Sequence, residues 1–64
     1  MKVRSLLEAM MYYPSWAEIY SDRMDLITRC TAEVLSSGYG EYRVKRFWIS
    51  AGENGAEILE LILR

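Results

Sequence analysis

Sixty-four residues with eight Lys and Arg against nine Asp and Glu, a formal charge of −1 and 52% hydrophobic residues describe one domain, residues 1–64, apolar enough to fold. There is no net basic field to draw it to nucleic acid or an anionic membrane. At this length folding buries only about 60% of the surface that the unfolded chain exposes, so a core leaves no room for a deep catalytic cleft. His is absent and Cys30 is the only cysteine. An internal disulfide, a Cys/His metal site and a His-activated nucleophile are therefore excluded, and no catalytic residue, metal or cofactor is expected.

The opening segment MKVRSLLEAMMYYP places Val3, Leu6, Leu7, Met10 and Met11 on one helical stripe. Lys2 and Arg4 before this stretch have the look of a signal peptide, but Glu8 interrupts it and no cleavage pattern follows. With no run near the roughly 18 apolar residues of a membrane span and a lone cysteine, the expected location is the cytoplasm. Pro14 ends the first helix near Tyr12, and Tyr12, Tyr13 and Trp16 form an apolar corner fit for a protein interface.

Ser15-Trp16-Ala17-Glu18 fits a capping box, which predicts a second helix. Either that helix runs on to about Ser36, or it breaks within 21–25 and Asp25 caps a third; the break is preferred. From Leu26 to Leu35 the apolar residues keep helical spacing, and Ser36-Ser37-Gly38 marks an end. Cys30 falls inside this stretch as a small buried side chain.

YGEYRVKRFWIS reads as a strand with Val44, Arg46 and Trp48 on one face and Arg43, Lys45, Phe47 and Ile49 on the other. Residues 56–64 fit a helix by periodicity, and fit a strand with Leu59, Leu61 and Leu63 inward. The strand is preferred, because Asn54-Gly55 suits a tight hairpin turn and strand 42–50 needs a partner.

This order resembles a winged helix-turn-helix, with LLEAMMYYP, SWAEIY and DLITRCTAEVLSSGYGEYR as the helices and ISAGENGAEI as the wing. The resemblance implies an α+β fold of three helices followed by a two-stranded antiparallel β-hairpin. In size and plan the chain is also similar to small winged-helix-like proteins of lytic phages that bind host transcription machinery. The third helix departs from the DNA-binding pattern, since Thr28, Arg29, Thr31 and Glu33, with Asp25 at its start, make a poor base reader. The wing tip carries Glu53 and no cation.

Arg43, Lys45 and Arg46, with Arg29 in reach, are the main basic concentration, and Trp48 stands among them. They read either as a partner-binding or nucleic-acid surface, or as cations that pair with Glu57 and Glu60 across the hairpin. The expected function is a non-enzymatic regulator that modulates transcription, or another nucleic-acid process, by binding a protein of that machinery. The alternatives are direct DNA binding, with a homodimer doubling the basic patch, and an oligomerising module using the Met and Tyr stripe of the first helix.

Overall fold

Alternation, rather than helical spacing, governs the middle of the chain. The computed structural model describes residues 1–64 apart from the side chain of Glu53. It places α1 at Val3–Ala9, β1 at Trp16–Tyr20, β2 at Leu26–Thr31, α2 at Ala32–Tyr39, β3 at Val44–Ala51 and β4 at Glu57–Leu63. The strands form one mixed sheet in the order β2-β1-β4-β3. β1 runs antiparallel to β2 and parallel to β4, and β3 and β4 are antiparallel.

Two helices and a four-stranded mixed sheet therefore replace the expected three helices and two-stranded hairpin. The second predicted helix, SWAEIY, is β1. Ala17 and Ile19 are buried while Trp16, Glu18 and Tyr20 face the other way, a period of two that outweighs the Ser15 and Glu18 capping signal. The Ser15 carbonyl instead accepts from the Ala32 N–H at 2.8 Å.

The third predicted helix divides in two. Its first half, LITRCT, is β2, where Ile27, Thr28 and Thr31 suit a strand and β1 supplies the ladder. Only Ala32–Tyr39 is helical, and Thr31 starts it by accepting the Val34 N–H on its side chain at 3.2 Å. The expected break within 21–25 is a tight turn between β1 and β2. There Met24 takes a φ of 67° and the Ser21 hydroxyl accepts from the amides of Arg23 and Asp25. α1 ends at Ala9, short of Tyr12.

The hairpin of β3 and β4 forms as expected. Asn54 and Gly55 both take positive φ, 66° and 75°, but the loop is wider than a two-residue turn and closes where the Gly52 N–H donates to the Ala56 carbonyl. The inward side of β4 is the one expected: Leu59 and Leu61 are fully buried and Leu63 packs against the same core.

Val3, Leu6 and Leu7 of α1 and Leu35 of α2 meet Ala17, Ile19, Leu59 and Leu61 in a single cluster. Each buried leucine contributes roughly 2 kcal/mol of apolar burial. α1 is fastened to the start of β3 by the Val3 N–H to the Tyr42 carbonyl and the Val44 N–H to the Met1 carbonyl. Lys2 and Arg4 both pair with Glu41, whose carboxyl is held below its ordinary range by the Lys2 hydrogen bond and the charges of Lys2 and Arg4. Gly40 allows α2 to exit close by, since a Cβ there would lie 2.3 Å from the Ser36 carbonyl oxygen. Among the described residues no helix is long and apolar enough to cross a membrane.

Candidate functional site

Both helices pack on one face of the sheet, which leaves the other to be read from the strand register. Residues paired across strands share a face. With Ala17, Ile19, Leu59 and Leu61 turned to the helices, the open face carries three rows across the sheet. Thr31, Trp16, Ile58 and Ser50 form the first, Arg29, Glu18, Glu60 and Trp48 the second, and Leu26, Tyr20, Ile62 and Arg46 the third.

Glu18 and Glu60 lie opposite each other on the central parallel pair, where two carboxylates side by side would repel. The neighbours compensate. The Tyr20 hydroxyl donates to Glu18 Oε1 at 2.9 Å, and Trp48 Nε1 donates to Glu60 Oε1 at 2.8 Å. Burial works against a charged Glu60, but the Trp48 N–H and the nearby hydroxyls of Ser50 and Tyr20 outweigh it and hold the carboxyl below its ordinary range. Hydrogen bonding to Glu60 and Glu18 in turn raises the Tyr20 phenol well above its usual range, so it stays protonated and remains a donor.

Aromatic rings frame this polar centre. Tyr20 and Trp48 stack across β4 with ring centroids 6.2 Å apart and planes 27° from parallel. On the other side the Arg29 guanidinium sits 5.3 Å from the centre of the Trp16 ring while its Nε lies 3.8 Å from Glu18 Oε2. Trp16 and Arg29 then open into a hollow of about 480 Å³ bounded by Gly52, Asn54, Ala56, Glu57 and Ile58.

The residues expected to bind a partner are distributed unevenly. Arg29, Arg46 and Trp48 all lie on the open face, Arg29 on the β2 edge with Trp16 of β1 beside it, and Arg46 and Trp48 on the β3 edge. Lys45 is the extra residue of a bulge between Val44 and Arg46, and its Nζ is held 2.7 Å from Asp22, whose carboxyl it lowers. That bulge corrects the expected face pattern: Val44 packs toward the core, Phe47 and Ile49 lie on the helix side, and Arg46 and Trp48 lie on the open side. The pairing of Arg43 and Lys45 with Glu57 and Glu60 does not form; Arg43 bridges to Lys2 by its backbone, and Glu60 is engaged by Trp48.

Tyr12 and Tyr13 stay exposed in the connection from α1 to β1, where Tyr13 borders a second hollow with Ser15, Thr31, Ala32 and Glu33. Cys30 is half-buried beside the core, and burial pushes its thiol pKa up, which keeps it protonated. Glu18, Tyr20 and Glu60 are members of the face that the sequence does not assign to a binding surface; there Glu18 reads as a helix cap and Glu60 as a partner of Arg43 and Lys45. The signal for the first two was the alternation in Trp16-Ala17-Glu18-Ile19-Tyr20. Compared with models of protein families, curated proteins and solved structures, the chain matches none.

Proposed function

We propose that this chain is a non-enzymatic binding module that acts by engaging a protein through the open face of its sheet. One observation carries this reading. Trp16, Tyr20 and Trp48, with Arg29 and Arg46, converge on a sheet face that no helix covers, around Glu18 and Glu60. Trp, Tyr and Arg are the residues that dominate protein interfaces. Hydrogen bonds from Tyr20 to Glu18 and from Trp48 to Glu60 fix those two rotamers in advance, which lowers the entropy lost when a partner docks.

The same aromatics could stack on bases, which is the reading of a direct nucleic-acid binder. Charge favours the protein partner. Two carboxylates occupy the middle of the face, and Arg29 is offset by Glu18 and Lys45 by Asp22, so that among the described residues Arg46 is the cation of this face left without an ion pair to meet a phosphate backbone. A role in transcription follows only from the winged-helix likeness, and the proposal stands instead on the surface chemistry.

The test is capture from a cell lysate with tagged wild-type and Trp48→Ala proteins, with and without nuclease. A protein that survives nuclease and is lost with Trp48→Ala, while circular dichroism shows the variant folded, supports the reading. Recovery that vanishes on nuclease treatment, and falls steeply with salt, would sink it in favour of nucleic acid.

A further inference from the structure

β3 ends the sheet on one side; Met1 and Lys2 pair with its start at Arg43 and Val44, which leaves the edge from Lys45 to Ala51 for a further strand. α2 lies over β1 and β2 and beside α1, and on the helix side of β3 Phe47 and Ile49 are left 47% and 42% exposed. Beyond the bulge at Lys45 the strand keeps unbroken register from Arg46 to Ala51.

The hairpin loop shows which backbone groups point outward. The Gly52 N–H donates to the Ala56 carbonyl at 2.6 Å, and bonded and non-bonded pairs alternate along an antiparallel ladder. By that alternation Ser50, Trp48 and Arg46 bond to β4, while Phe47, Ile49 and Ala51 turn their N–H and C=O groups away from the sheet. The residues with free backbone groups are thus the same ones whose apolar side chains lack a cover.

We propose that a second copy of this chain adds antiparallel along β3, about a twofold axis through Trp48, to form a continuous eight-stranded sheet. In this register Phe47 of one copy lies opposite Ile49 of the other, an aromatic and β-branched pair made twice. Both members have outward backbone groups, so the bonded pairs of the new ladder fall on them. Arg46 meets Ser50 and Lys45 meets Ala51, so no cation faces a cation. Moving the axis to Arg46 sets that arginine opposite itself, and moving it to Ile49 sets Phe47 against Ala51.

The arrangement closes at two copies. The other edge, β2, is bulged at Ile27, where Tyr20 pairs with Leu26 and Ile19 with Thr28, which shortens its regular run. Like edge on like edge is an isologous contact, and it leaves two bulged edges outside. One strand's width is less than the roughly 800 Å² per partner of a standard interface, so the dimer is weak and concentration-dependent.

Sedimentation velocity from low micromolar to millimolar concentration tests it. Wild-type protein is expected to pass from monomer to dimer and stop there. Ile49→Lys, at a position exposed in the monomer, is expected to raise the dissociation constant at least about tenfold by setting a charge in the ladder. The double variant Phe47→Glu with Ile49→Lys places Glu opposite Lys on both sides of the axis and is expected to restore the dimer. Independently of any variant, the amides of Phe47 and Ile49 are expected to gain protection from hydrogen exchange in concentrated protein and lose it on dilution. A monomer throughout the range, an open-ended polymer, or a dimer indifferent to Ile49→Lys would each overturn the proposal.

Discussion

The two faces of this sheet come from alternate residues of the same strands, yet they are held together by different physics. On the closed face Ala17, Ile19, Leu59 and Leu61 lie under Leu6, Leu7 and Leu35, entirely apolar and buried. The open face runs from Arg29 through Glu18 and Glu60 to Trp48, polar groups joined by hydrogen bonds and ringed by aromatics. Among the described residues no buried side-chain polar atom lacks a partner, so the second face is satisfied without a covering layer. The closed face supplies the fold, and the open face is preformed and free to act.

The difference is sharpest at Leu59 and Trp48. Leu59→Ala removes a fully buried side chain and is expected to cost roughly 3 kcal/mol, a large share of the about 3 to 10 kcal/mol available to a chain of this size. Urea denaturation would show its midpoint collapsing. Trp48→Ala, half-buried and on the other face, is expected to shift that midpoint far less. It should instead weaken partner binding by about 2 kcal/mol, or roughly 30-fold, as measured by calorimetry with the captured protein. If both variants lost stability equally, the division of labour between the faces would be wrong.

Part of this was legible beforehand. Leu59, Leu61 and Leu63 alternate in β4 and Asn54-Gly55 suits a turn, so the inward side of the last strand and the hairpin could be read in the sequence. β1 and β2 could not, because Ser15 and Glu18 match a capping box and Leu26, Ile27, Cys30 and Val34 also fit a helix. What settled them is pairing distant in sequence: Trp16 lies beside Ile58, and Glu18 beside Glu60. No local pattern announces a parallel partner forty residues away, and tertiary context overrides propensity in such short segments. For the same reason Arg29 and Trp48 could be named in one candidate surface but not assigned to opposite edges of one sheet face, and Glu18 and Glu60 read as a helix cap and a cross-hairpin partner rather than as the centre of that face.

Thr31 joins the two faces, since it ends β2 beside Trp16 and starts α2 over the core. Thr31→Ala removes the side-chain oxygen that accepts the Val34 N–H and is expected to cost about 1 kcal/mol, seen as a modest fall in melting temperature. Thr31→Ser keeps that oxygen and should recover most of the loss. A Thr31→Ala variant as unstable as Leu59→Ala would mean that packing, rather than capping, holds the joint.

The smallest effect separates the faces by pH. Glu60 has a folded pKa below its ordinary value, so its contribution is fully present above the usual Glu range near 4.3 and is lost as pH falls through the lower folded value. Glu60→Gln keeps an oxygen for the Trp48 N–H but removes the charge, and is expected to cost no more than about 1 kcal/mol at neutral pH because the group is only partly buried. The gap between wild type and Glu60→Gln should therefore narrow as the solution is acidified below the ordinary carboxylate range, since both then carry a neutral group. The leucines beneath do not titrate, so the cost of Leu59→Ala should stay constant across the same range. A Glu60→Gln gap that widened in acid would mean that the carboxylate is strained by Glu18 beside it, and that the Trp48 hydrogen bond and the nearby hydroxyls do not overcome that repulsion.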